Sequence, residues 1–381
     1  MSFLLKGNEE MDLDFNKEQE MLRKSVAEFL SKECPFDTVR EIEDSAEGYD
    51  KKLWKKMAGL GWMEIHFPEA YGGLGDPFVD MTIIMEEMGK KAFPSPFFST
   101  VILCGLILME GGSEEQKKTL LPKIAAGKRI MALAQYEEEA SYLESGIQLS
   151  AQPDGGNYVL DGRKLFVLDA NVADDIIVAA RTGEGVTLFL VNAKAPGVSI
   201  QKMRTIGKDN NSAVTFDKVN VSKDSMVGGP GAGWSILEQA APKATVAKCA
   251  EMLGGCEEAI TMTVAYAKER VQYSTPIGGF QVIQHYMADM RIAYDTSIYY
   301  LHKVVWMLDQ GMDAVKEVSA LKAQVNEQYK FITERAVQIH GGIGTTREFN
   351  IGLFYRRAKA FETILGDTAH HHDRLADALG M

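Results

Sequence analysis

The sequence predicts an α+β fold in three consecutive parts: an N-terminal helical domain over residues 1–128, a middle antiparallel β-sandwich or barrel over 129–233, and a C-terminal four-helix bundle over 234–381. Three observations predict it. Apolar residues recur at helical spacing up to about Lys128, short β-branched runs divided by turn residues follow as far as Gly233, and long helical stripes resume from Ser235.

In the first part Phe15, Met21, Leu22, Val26, Phe29 and Leu30 mark one helical face, with Asn16 placed to cap the segment ahead of Glu18. Leu53, Met57, Leu60 and Met63 mark a second face, and Met81–Met88 and Val101–Met109 two more. Between them YGGLGDP, Tyr71 to Pro77, reads as a loop, because paired glycines and a proline break regular structure. In the second part NYVLDGRKLFVL alternates about an Asp161-Gly162 hairpin signal, and DDIIVAAR, VTLFLVN, GVSIQKM and SAVTFDKVNV are further strands without helices between them. VGGPGAGW is the boundary, with Trp234 expected as a packing anchor. Ala244–Arg270, Phe280–Gln310 and Ala314–Ile339 then predict long antiparallel helices. The chain contains no internal repeat.

With 381 residues, 46% hydrophobic and 25% charged, the composition excludes a disordered chain or a coiled-coil rod and suggests two or three domains. Lys+Arg number 41 against Asp+Glu 53, a net charge of −12, which disfavours nucleic-acid binding while leaving room for a local basic pocket around one phosphorylated ligand. The opening MSFLLKGNEEMDLDF is too short in apolar residues for a signal peptide, and no stretch approaches a membrane span, so a cytoplasmic protein without membrane insertion is expected. Cys34, Cys104, Cys249 and Cys256 form no CxxC pair and read as reduced, buried thiols rather than zinc ligands. His370, His371 and His372 point about 100° apart on a helix and cannot converge on one metal ion.

Several motifs occur in one order. PEAYGGLG (Pro68 to Gly75), DGRKLFV, FDKVNV, VGGPGAGW, YAKERVQYSTPIGGFQVIQHYMADM (Tyr266 to Met290) and AVQIHGGIGTT (Ala336 to Thr346) together resemble the acyl-CoA dehydrogenase family over essentially the whole chain. No complete GxGxxG follows a strand, which disfavours a Rossmann dinucleotide site. The resemblance instead implies FAD between the strand domain and the bundle, with its ADP half reaching a neighbouring subunit. Arg270 offers a planar fork for the pyrophosphate, alongside Tyr273; Gln281 and Gln338 offer amides, and Gly341 and Gly342 permit close backbone approach.

The resemblance also places Phe166, Val167 and Leu168 beside the flavin ring. Phe166 can cover its face, whereas Leu168 cannot give the hydroxyl contact usual there. AQYEEEAS, Ala134 to Ser141, replaces a segment reading T-E-P-x-x-G-S-D, so Tyr136 or a backbone amide is expected to stand in for the missing Thr. The run Glu137, Glu138, Glu139 reads as a solvated acidic loop. Thr368 is expected on the cofactor as well.

The family reaction removes an α-proton from an acyl-CoA thioester as the β-hydride goes to flavin, which requires a positioned carboxylate. Here ILGDTAHHHDR, residues 364–374, sets Leu365 or Gly366 at the usual Glu, while Ala244 and Thr245 stand where other members carry a base and a CoA-pairing Arg. Asp367 is the nearest candidate for a relocated base. The alternatives are a base-less subunit paired with a related chain, or flavin chemistry of a desulfinase or monooxygenase type. A compact or cyclic acyl group is suggested by the bulky apolar run Phe93 to Leu108. The resemblance further implies a homotetramer or heterotetramer and electron-transfer flavoprotein as the electron acceptor.

Overall fold

A computed structural model describes residues 11–381. Six helices open it: α1 (Lys17–Glu33), α2 (Phe36–Asp44), α3 (Lys51–Gly59), α4 (Phe78–Lys90), α5 (Gly105–Gly111) and α6 (Glu114–Ala125). Asn16 caps α1 as expected, and the box is closed by Gln19, whose side chain returns to the Asn16 amide at 3.0 Å. A π-helical turn, Phe98–Cys104, leads into α5.

The middle of the chain forms β1 (Met131–Ala134), β2 (Ser150–Asp154), β3 (Asn157–Leu168), β4 (Asp175–Thr182), β5 (Gly185–Asn192), β6 (Val198–Lys202), β7 (Asn211–Ser222) and β8 (Met226–Val227), one sheet ordered β6-β7-β3-β2-β4-β5-β8. The expectation of a purely antiparallel domain needs correcting. β1 pairs with β4 in parallel, because the chain enters from the helical domain and reaches β4 only after the β2–β3 hairpin. β3 also slips register between Lys164 and Val167, where Phe166 takes a positive φ of 54°. Such a bulge turns a side chain away from the ladder.

The C-terminal part holds α7 (Gly233–Glu269), a small ribbon of β9 (Val271–Gln272) and β10 (Thr275–Pro276), α8 (Gln281–Asp309), α9 (Val315–His340), α10 (Ile351–Glu362) and α11 (Thr368–Leu379). α7, α8 and α9 pack on one another, and both short helices lie on α9. One apolar core runs through all three parts, from Val26 to Phe361. The four cysteines are buried thiols.

α4 and α7 meet at backbone distance. A Cβ on Gly89 would lie 1.9 Å from the Glu251 carbonyl oxygen, and one on Gly254 would lie 1.9 Å from that of Glu86. Neither backbone can yield as a flexible side chain could. Gly254→Ala is therefore expected to lower stability by about 1–3 kcal/mol or more, the usual cost of overpacking, seen as a fall in thermal midpoint with flavin and without it.

Candidate active site

Sheet, π-turn and C-terminal helices enclose a cavity of about 400 Å³. Tyr136 and Tyr142 come from the loop after β1, Phe166 and Leu168 from the β3 bulge, Asn211 from the start of β7, and Thr363 to Leu365 from the turn before α11. The sequence thus anticipated Tyr136, Phe166 and Leu168 as neighbours. A smaller lobe of about 40 Å³ adjoins the cavity, sharing Leu103, Leu133, Gln135, Tyr136, Tyr142 and Leu365 with it. It continues between α7 and α11 to Trp234, Glu238, His370 and Arg374. Trp234 packs against the core as expected.

The loop after β1 is tied down by charge. Lys164 is fully buried and donates to the Gln135 carbonyl at 2.9 Å and to Glu137 Oε1 at 2.7 Å. Burial pulls its ammonium down to about 8, against the opposing pull of Glu137. Glu137 also accepts from the Gln148 and Leu149 amides at 2.9 and 2.8 Å. The reading of Glu137 as part of a solvated acidic loop is thereby overturned, since a buried ammonium demands a counter-charge; Glu138 and Glu139 are exposed.

The turn before α11 gives Leu365, Gly366 and Asp367 three different surroundings. Leu365 adopts φ of 60° and lines both lobes. Gly366, at φ of 113°, has no room for a side chain: a Cβ would lie 2.6 Å from His370 and 2.7 Å from His371. Asp367 is the N-cap of α11, its Oδ1 accepting the His370 amide at 2.8 Å, and it does not line either lobe. Thr368 opens the same helix. The histidines diverge. His370 packs against Tyr142 with centroids 4.9 Å apart and the rings tilted by 42°, His371 is buried with Nε2 3.0 Å from the Leu365 carbonyl oxygen, and His372 is exposed.

Two carboxylates line the lobes, and both are engaged. Asp209 accepts from Thr205 at 2.5 Å and from Asn211 Nδ2, while Glu238 receives Arg374 in a two-pronged bridge with both distances 2.9 Å. Glu251 is buried against Lys248 at 2.5 Å. Sequence patterning gave no signal for Tyr142, Asn211, Glu238 or Arg374, because their meeting depends on the approach of three separate segments.

The residues fit a flavin. The cavity is aromatic on its sheet side, and Asn211 Oδ1 is buried at its wall without a hydrogen-bond partner, an acceptor suited to a ring N–H. Arg270, Tyr273, Gln281, Gln338, Gly341 and Gly342 do not line this cavity; all six are exposed near the α7–α8 and α9–α10 connections.

Three models of one family cover the chain in order: the acyl-CoA dehydrogenase N-terminal domain over residues 16–128, the middle domain over 137–219 and the C-terminal domain over 231–380. The chain belongs to the acyl-CoA dehydrogenase family: it is an FAD flavoprotein oxidoreductase acting on CH–CH groups. It is 30% identical over 380 residues to a probable acyl-CoA dehydrogenase of Bacillus subtilis, covering 97% of this chain and 99% of that one. It is also 30% identical to a subunit of the caffeyl-CoA reductase–Etf complex of Acetobacterium woodii, covering 91% and 94%. The ChsE4–ChsE5 complex of Mycobacterium tuberculosis includes a chain of TM-score 0.89 and 25% identity, with 97% and 99% coverage. Among the described residues no helix is long and apolar enough to cross a membrane.

Asp367→Ala removes a helix cap and is expected to cost about 0.5–2 kcal/mol in urea unfolding. His371 supplies a pH dependence. Burial, reinforced by Lys322, holds its imidazole down at about 3, against about 6.5 when unfolded. The unfolded chain therefore binds the proton first, and stability falls as pH drops from about 6.5 towards 3. Unfolding followed from pH 7 to 4 should be less acid-sensitive in His371→Leu, by at most about 1.4 kcal/mol per pH unit.

Proposed function

We propose that this chain serves acyl-CoA oxidation as the member of a hetero-oligomer that lacks its own base, with a related chain supplying the carboxylate. One observation carries the reading: every carboxylate at the cavity is committed elsewhere. Asp209 is held by Thr205 and Asn211, Glu238 by Arg374, and Asp367 by the α11 cap it makes. Leu365 stands where proton abstraction would occur, and it cannot accept a proton. The relocated-base reading of Asp367 is set aside because its side chain caps α11 and lines neither lobe of the cavity.

FAD, when bound, accepts the β-hydride of the thioester. The chain's own part is positional. Phe166 and Tyr136 would cover a flavin ring held in the cavity, Asn211 Oδ1 would accept from a ring N–H, and the Lys164–Glu137 pair holds the loop that carries Tyr136. The exposed Arg270, Tyr273, Gln281, Gln338, Gly341 and Gly342 belong, in this reading, to the flavin of a neighbouring subunit, with Arg270 on the pyrophosphate. The ChsE4–ChsE5 pair is a structural relative that forms a two-chain complex, and the Etf-complex subunit supports electron-transfer flavoprotein as the acceptor. Phe93, Phe97 and Phe98, all buried in the segment that ends at the cavity, suit a compact or cyclic apolar acyl group.

The test is to purify the chain alone and mixed with a related chain that has an intact Glu. Alone, a panel of acyl-CoA thioesters should reduce its flavin about 10²–10⁴-fold more slowly than the mixture, the usual contribution of a general base, and Asp367→Asn should not change the mixed rate. Turnover by the chain alone at about 1–10³ s⁻¹, abolished in Asp367→Asn, would establish Asp367 as the base instead. Arg270→Ala should weaken flavin retention of the mixture on dialysis by about 1.5–3 kcal/mol, the value of a charge-assisted hydrogen bond.

A further inference from the structure

A separate cavity of about 340 Å³ lies between α2, the β6–β7 loop and the turn that joins α9 to α10. It stands back to back with the flavin cavity. In the β6–β7 loop Ile206, Gly207 and Asp209 line the flavin cavity, while Lys208, at φ of 54°, lines the other. α10 divides the two in the same way, with Lys359 and Ala360 on one side and Arg356 on the other.

The wall is cationic in a chain whose net charge is −12. Arg40, Lys208, Arg347 and Arg356 line it, and among the described residues Glu43 is the one carboxylate beside them. Glu43 is already answered from behind. Arg357, buried and outside the wall, reaches its Oε1 at 3.1 Å, while Arg356 reaches its Oε2 at 3.1 Å. Lys208 and Arg347 share one carboxylate, Asp44, which stands outside the wall and is 42% exposed. Arg40 donates to the neutral Asn350 side chain at 2.5 Å and to Asp37, which is 95% exposed. Glu348, near both Arg40 and Arg347, is exposed as well. Solvated carboxylates neutralise a neighbouring cation only weakly, so the wall keeps an excess of positive charge. One phosphate group carries about −1.5 to −2 near neutral pH, and guanidinium forks match its oxygens in pairs. Phe349 and Tyr355 add an aromatic surface that a bare inorganic ion would leave unused.

We propose that this cavity is a second ligand site, which takes the phosphate group of a small phosphorylated organic molecule on Arg40, Lys208, Arg347 and Arg356. None of the residues assigned above to a flavin lines it. Its cations come from three separate segments: α2, the β6–β7 loop and residues 347–356. A phosphate bound there bears on the loop whose other side lines the flavin cavity. Lys208 and Arg347 are partly solvated, with side chains 36% and 66% exposed, so their charge can be removed without emptying the core.

The experiment titrates the flavin-containing chain with phenyl phosphate and, separately, with inorganic phosphate. Heat and flavin absorbance are followed at neutral pH and low ionic strength, where screening is weak. Wild type should bind one phenyl phosphate per chain with a Kd below about 1 mM, and inorganic phosphate more weakly. Lys208→Gln/Arg347→Gln should bind phenyl phosphate at least about tenfold more weakly, and Arg347→Gln alone should shift the same way. Lys194→Gln/Lys223→Gln, which removes as much charge from exposed positions outside the cavity, should match wild type. Thermal midpoint and flavin content check that each variant is folded. No saturable binding by wild type, equal affinities for wild type and Lys208→Gln/Arg347→Gln, or the same loss in both double variants overturns the site. Heat that tracks release of flavin overturns it too, because the anion would then be competing for the cofactor's own place. Inorganic phosphate binding as tightly as phenyl phosphate overturns the organic ligand.

Discussion

The contact on which the rest depends is the crossing of α4 and α7, where two glycines let the helices touch backbone to backbone. Gly89 faces the Glu251 peptide and Gly254 faces that of Glu86. This brings carboxylates from both helices together, and two cations answer them. Arg23 of α1 reaches Glu86 at 3.0 Å, and Lys90 holds Glu87 at 2.8 Å and Glu257 at 2.7 Å. Burial raises the Glu86 carboxyl to about 7 despite these partners. Charges so placed stabilise little beyond their own desolvation, and removing one partner would strand the others. They therefore act mainly as a register for the crossing.

From that crossing α7 reaches three functional places. Its first turns carry Glu238 to the wall of the smaller lobe. Its middle sets Lys248 between Phe98 and Phe361, 3.8 and 4.3 Å from their ring centres, behind the cavity. Its end presents Arg270 at the surface, where a neighbour's cofactor would be met. One element of 37 residues thus runs from the smaller lobe to the exposed Arg270 at its end. Lys322 repeats the device on α9, donating to the Phe361 and Glu362 carbonyls at 3.1 and 3.2 Å, so the end of α10 is fastened just before the Leu365 turn.

How much of this was legible in sequence follows from the range of the forces. Helices with a single apolar face, such as α1 with its Asn16 cap, announce themselves in a window of a dozen residues, and so do the β3 and β7 alternations. The family motifs grouped Tyr136, Phe166 and Leu168, which line one cavity, because short segments preserve local geometry. The parallel β1–β4 pairing was not legible, as four residues of β1 contain no record of a partner over forty positions away. The role of Glu137 was hidden by its two acidic neighbours and appeared only with the burial of Lys164. Glu238 and Arg374 are 136 positions apart, and nothing local distinguishes them from ordinary surface charges. Leu365 and Gly366 are neighbours at positive φ, and only their surroundings in the fold differ: Leu365 lines the lobes, and Gly366 faces His370 and His371.

The Gly366 turn also limits what can be placed there. A Cβ at 366 would crowd the rings of His370 and His371, so a larger residue requires both rings to shift. Position 365 is roomier, but it too sits at positive φ, where branched and bulky side chains are strained. Two imidazole rings thus hold the shape of a turn that has no regular hydrogen-bond ladder of its own.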